Sequence, residues 1–229
     1  MRQFFRYFWG VIARPAETFD ALTAEPGVRW GVAVAFLPVL QVWGNMLLHA
    51  AFGLDWLGTR PDLAEPTFIG LMGMLRIGTE HYVPVFAAFM LILYTLGLTL
   101  VPGLAQLTSR LWGGEGTFEQ MVNVLAFASA VPNLVIGGVS EWLFGVPIDL
   151  LTGHGYFWID AMHGVFGPVV GAIWNGYVLG IYVTAQYLWI IALSTLAVRR
   201  VQKIPLWAAI AMMTLLFALS MFITGVFVR

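Results

Sequence analysis

Polar residues thin out five times along the chain for long enough to matter. Apolar stretches run from about Trp30 to Phe52, Val83 to Leu111, Met121 to Phe144, about Phe166 to Val198, and Leu206 to Val228. Each approaches or exceeds the ~20 residues that a helix needs to cross the hydrocarbon of a bilayer. The second and fourth are longer than one crossing requires. Pro84, Pro102 and Pro168 near their ends point to tilts, kinks or interfacial extensions. The pattern predicts an all-α, polytopic membrane bundle of about five transmembrane helices.

Ahead of the first stretch the period changes. Phe4, Phe5, Phe8, Val11 and Ile12 fall on one helical face, with Arg2, Arg6 and Arg14 near the other. That is the pattern of an amphipathic interfacial helix lying against anionic lipid, or of a short helix packed on the bundle. Arg6 interrupts the apolar run and no clean small-residue cleavage site follows, so the segment does not read as a signal peptide. Phe19 and Leu22, three apart, suggest a second short helix ended by Pro26. The expected organisation is a cytoplasmic amphipathic segment at 1–29 and a five-helix membrane domain at 30–229.

Composition agrees with lipid as solvent. The 229 residues are 60% hydrophobic and 10% charged, against about 25% charged in soluble domains. A net charge of −1 offers no global field for nucleic acid. Without cysteine there are no disulfides, thiol catalysis or thiolate metal sites. With the N-terminus in the cytoplasm, that side holds Arg2, Arg6, Arg14, Arg29, Arg110, Arg199, Arg200 and Lys203. The other holds Arg60, Arg76 and Arg229. Eight against three satisfies the positive-inside bias and puts the C-terminus outside. Of the outer connections, residues 53–82 contain an apolar stretch, Phe68 to Ile77, suited to an interfacial or re-entrant helix. Residues 145–165 lack Lys and Arg and carry Tyr156, Phe157 and Trp158, which suit the headgroup level.

Some residues do not suit hydrocarbon. Gln41, Asn45 and His49 are spaced by four in the first span. Ser129, Asn133, Gly137 and Glu141 repeat that spacing in the third, and Asn175 lies in the fourth. Such groups need partners inside the bundle. They are either interhelical glue or the wall of a polar cavity opening outward. Gly167 and Gly171, then Gly176 and Gly180, allow close approach on two faces of the fourth helix, as the centre of the bundle or in a homo-oligomer.

His49, His81, His154 and His163 all fall at or near the outer face in this topology, with Glu80, Asp149 and Asp160 nearby. Asp160 and His163, three apart, share a helical face, as a metal site or proton relay needs. Among cofactors, a divalent transition metal (zinc, copper, iron or nickel) on these N/O donors is the candidate, and a paired-histidine haem is conceivable. Histidine's tolerance of the interface is the plainer explanation. No nucleophile elbow, His-Glu-x-x-His or intramembrane aspartate pair is present. Ser129 and Ser194 have no base placed beside them by sequence.

Three motifs give the chain a family likeness. Pro15-Ala16-Glu17-Thr18-Phe19 precedes an acidic-proline pair, Glu25-Pro26. Gly113-Gly114-Glu115-Gly116-Thr117-Phe118 opens the third span, and Ala130-Val131-Pro132 lies inside it. In these and in topology the chain resembles the Yip1 family of membrane proteins. The resemblance implies five spans, a cytoplasmic N-terminus and a C-terminus on the far side. Eukaryotic relatives act in vesicle traffic with small GTPases. The N-terminal segment here is shorter than theirs, which argues against GTPase binding and for a prokaryotic type. Gly113 and Gly114 suit a tight turn, and Thr117 with Gln120 a capping box. The Gly-rich run lacks the Lys-Ser or Lys-Thr of a phosphate loop. The expected function is a non-catalytic scaffold in a cytoplasmic membrane that organises lipids or partner membrane proteins. The alternative is a small transporter or ion-binding protein using the outward polar stripes and histidines.

Overall fold

A computed structural model describes residues 1–51, 82–139, 142 and 180–228. Among these residues every regular element is helical. In chain order they are α1 (Arg2–Ala13), α2 (Pro15–Thr23), α3 (Arg29–Ala35), α4 (Leu37–Ala51), α5 (Tyr82–Ser109), α6 (Phe118–Pro132), α7 (Gly180–Gln202) and α8 (Leu206–Val228). A 3-10 turn, Arg110–Trp112, follows α5, and a π-helical segment, Asn133–Gly138, follows α6.

The apolar stretches become helices, but two of them break. The first divides at Phe36 into α3 and α4. Pro38 has no N–H to give the Val34 carbonyl, so the helix cannot run through in one register. The third changes from α to π geometry straight after Pro132, which likewise leaves the Ala128 carbonyl without its donor. The second and fifth match α5 and α8 closely. Among the described residues one helix, Phe118–Gly138, is long and apolar enough to cross a membrane, and Leu206–Ser220 is a shorter apolar helix. Among the described residues, helix length and composition thus identify one crossing, and the five predicted from the sequence pattern are not confirmed.

The centre of the described bundle is α6. Met121, Val124, Phe127, Ala128 and Val131 are buried, and α3, α5 and α7 pack around them. Gly167, Gly171 and Gly176 lie outside the described residues. α8 closes the bundle against α7 and α5.

The N-terminal segment is part of this core. Tyr7 and Val11 of α1, and Phe19 and Leu22 of α2, are buried in one cluster with Val124 and Phe127. Phe4, Tyr7, Trp30 and Phe127 meet ring against ring, with centroids 5.9–6.3 Å apart. Full burial of Val11, Phe19 and Leu22 stabilises the docked segment by about 1.5–3 kcal/mol each. For this face of α1 the structure agrees with the packed-helix alternative and corrects the interfacial one. Most of the face assigned to lipid (Phe4, Phe8, Val11, Ile12) packs on protein. The buried arc is rotated toward Tyr7, because α1 docks where Trp30 and Phe127 supply rings. Phe5 is left on the outside.

Candidate functional site

Two polar assemblies stand out. The first is a cap at one end of the bundle, built from the α1–α2 corner, the turn before α3, the 113–117 loop and the end of α7.

Pro15 starts α2 at a position where its missing N–H costs nothing. Gly10 leaves room for the Thr18 side chain, whose hydroxyl donates to the Arg14 carbonyl at 2.9 Å. Beyond α2, the Glu25 carboxylate accepts from Gln3, the Tyr7 hydroxyl, Trp30 Nε1 and Arg29. Chiefly the Tyr7 hydroxyl, with Trp30 and Arg29 helping, holds its ionisation below the usual carboxylate range despite some burial. One carboxylate thereby ties α1 to the start of α3.

The start of α6 clamps the same turn. Thr117 and Gln120 form the expected capping box, at 3.3 and 2.9 Å. Gln120 also donates to the Thr23 carbonyl at 3.1 Å. Asn123, fully buried, accepts from Gly31 N–H at 2.8 Å and donates to the Gly27 carbonyl at 2.7 Å. A side chain on Gly31 would meet the α6 backbone, 2.8 Å from Asn123 Cα and 2.9 Å from the Val122 carbonyl.

The glycine-rich loop locks onto α7. Gly113 takes φ +76°, the left-handed turn expected of it. Gly116 N–H donates to Gln202 Oε1 at 2.9 Å, and Glu115 N–H to the Gln202 carbonyl at 3.4 Å. Arg110 reaches the Gly114 and Gly116 carbonyls at 2.8 and 3.3 Å. Ion pairs complete the cap: Lys203 with Glu115 at 2.8 Å, and Arg200 with Asp20 at 3.1 Å. The Lys203 pair lowers the Glu115 ionisation and raises that of Lys203 through the hydrogen bond first and charge second.

The second assembly is the polar stripe. Gln41 and Asn45 share a face of α4, and Asn45 is buried. Gln41 lies against Gly138 of the π segment, whose added Cβ would fall 2.6 Å from Oε1. Across the bundle, Gln186 of α7 donates to Asn133 Oδ1. The amides of α4 and α7 thus meet the π segment from two sides. Ser129 does not join them. Its hydroxyl turns back to the Ala126 carbonyl at 3.2 Å. The π geometry also ends the four-residue spacing read from Ser129 through Gly137.

Glu80, His81, Glu141, His154, Asp160, His163 and Asn175 lie outside the described residues. His49 lies in α4. No group of metal-ligating side chains occurs among the described residues. Asn123, Gln186 and Gln202 were not singled out in the sequence. Asn123 and Gln186 carried a signal, each as an amide in a largely apolar run, and Gln202 carried none.

The Yip1 domain family matches residues 9–227, nearly the whole chain. The chain belongs to the Yip1 family. It is therefore a membrane protein of the Yip1 type, from a family whose members are generally not enzymes. No curated protein and no solved structure matches it. The Yip1 match takes in the α1–α2 corner, the glycine-rich loop, the polar stripe and the end of α7, and begins after Gln3 and Tyr7 of the cap.

Proposed function

We propose that this Yip1-domain protein is a non-catalytic, multi-pass scaffold of a prokaryotic cytoplasmic membrane. Its N-terminus lies in the cytoplasm and its C-terminus outside, and it organises lipids or partner membrane proteins. One observation carries the reading. The polar side chains of the cap are spent on holding the chain together: Glu25, Gln120, Asn123 and Gln202 each bond across it. That is the construction of a rigid platform.

The outer surface supports the multi-pass part. Leu96, Leu100, Leu104 and Leu107 are exposed along α5, as are Trp207, Ile210, Leu215 and Leu219 along α8. Such stripes would be costly in water and suit hydrocarbon. The exposed Thr95 and Thr99 turn their hydroxyls back to their own helix, to the Leu91 and Thr95 carbonyls at 2.8 and 3.1 Å. That satisfies a hydroxyl where no water is at hand. All eight basic residues assigned to the cytoplasm lie on elements of the cap, which suits the orientation.

The test is crosslinking in native membranes followed by mild solubilisation. The scaffold reading expects a co-isolated membrane protein or a self-associated form. Recovery as an inert monomer with no crosslinked product would overturn it.

A further inference from the structure

α1 has two apolar faces, and the protein uses one. Phe4, Tyr7, Phe8 and Val11 are spent on the core. Opposite them Phe5 is 54% and Trp9 61% exposed. At 3.6 residues per turn, Phe5, Trp9, Arg2, Ala13 and Arg6 follow one another within about 100° of the helix circumference. All five are exposed. Arg6 sits beside the Tyr7 ring, 5.6 Å from its centroid, on the side of its exposed face nearer the core. Arg2, Arg6 and Arg14 also rim a groove of about 610 Å³ between α1 and α2, where Glu17 is the acidic residue. Glu17 pairs loosely with Arg14, at 3.7 Å.

We propose that this second face of α1 docks into the headgroup layer of an anionic leaflet. Phe5 and Trp9 enter the acyl boundary, and Arg2 and Arg6 sit at lipid phosphates. Charge complementarity selects the occupant. Two cations flank two large rings on a face with no carboxylate of its own, which is the composition that favours anionic lipid over zwitterionic lipid. Docking of the first face onto α2, α3 and α6 fixes the angle at which the second is presented. α1 then works as a rigid fin, not a free amphipathic tail. The inference rests on the membrane reading above and adds which face touches lipid and which lipid it selects.

The absence of cysteine gives a clean test. Single-cysteine variants Phe5→Cys and Trp9→Cys replace exposed positions, so the core stays intact. Each carries a spin label in full-length protein reconstituted into phosphatidylcholine vesicles, with and without phosphatidylglycerol. Leu100→Cys and Leu215→Cys serve as references for hydrocarbon. The expected result is oxygen-accessible, water-shielded labels at positions 5 and 9 in anionic vesicles, and less shielding in phosphatidylcholine alone. Replacing Arg2 and Arg6 by Gln should reduce the anionic preference about fivefold per arginine. Water-exposed labels at 5 and 9 with shielded references would overturn the fin and leave the membrane reading standing. Water exposure at the references as well would remove both. Shielding indifferent to phosphatidylglycerol, or dependent on protein concentration, would also overturn the proposal, the latter by making the face a contact between copies.

Discussion

Asn123 offers the sharpest handle on the cap. It sits on the central helix, fully buried, and its amide bridges two main-chain groups of the turn before α3. In Asn123→Ala both bonds go. The Gly31 N–H is buried and has no room for water, because α3 approaches α6 to within a Cβ's reach at that point. An unsatisfied buried donor costs about 1–3 kcal/mol. The Gly27 carbonyl is only partly buried and can be rehydrated, so its lost bond costs about 0.5–1.5 kcal/mol. The sum is about 2–4 kcal/mol. For a chain of this size each kcal/mol moves the melting temperature by about 2–4 °C. Thermal unfolding of the variant in a mild detergent should therefore show a loss of roughly 5–15 °C. Gly31→Ala attacks the same contact from the other side and should also destabilise. The two changes combined should cost less than their sum, because either one already opens the contact. A melting temperature for Asn123→Ala within about 2 °C of the parent would refute the clamp.

Gly116→Ala should destabilise by about 1–3 kcal/mol, since its methyl group would strike the Val201 side chain. Val201→Ala should restore part of the loss in the same unfolding assay. Glu25 ionises more readily folded than unfolded, so its contribution is present above the ordinary carboxylate range and is lost as pH falls through its folded value. Glu25→Gln should accordingly melt lower at neutral pH and lose less stability on acidification, read from melting temperature against pH. Gln186→Leu removes an interhelical bond of the kind worth about 0.6 kcal/mol. A loss well beyond ~1.7 kcal/mol would show that this amide pair is more than helix glue.

The outline of the fold was legible because it depends on local pattern. Long apolar runs give helices whatever surrounds them, and α5 and α8 begin and end close to where the sequence puts them. Thr117 with Gln120 and the left-handed Gly113 were equally readable, since caps and turns are decided within a few residues. The break in the first span and the π segment in the third were foreshadowed only by Pro38 and Pro132.

The site was less legible, for a physical reason. Gln202 looks in sequence like one more polar residue after Arg199 and Arg200. Its role comes from Gly116, 86 positions away, whose N–H it receives. Gln186 is unremarked until Asn133 lies opposite it. Periodicity found most of the arc of α1 that meets protein, but not what packs against it. Tyr7 is drawn inward by Trp30 and Phe127, and Phe5 is released.

From its residues alone the chain reads as helical, rich in bilayer-length apolar runs and similar to the Yip1 family. The first two follow from short-range sterics and from summed transfer free energy, which add up along a chain without knowledge of its path, and the third from short motifs. Which helix is central, which face of α1 is left over and which polar side chains hold the cap together emerge in three dimensions alone. Those outcomes depend on pairings between residues far apart in the chain, and no local pattern encodes the partner.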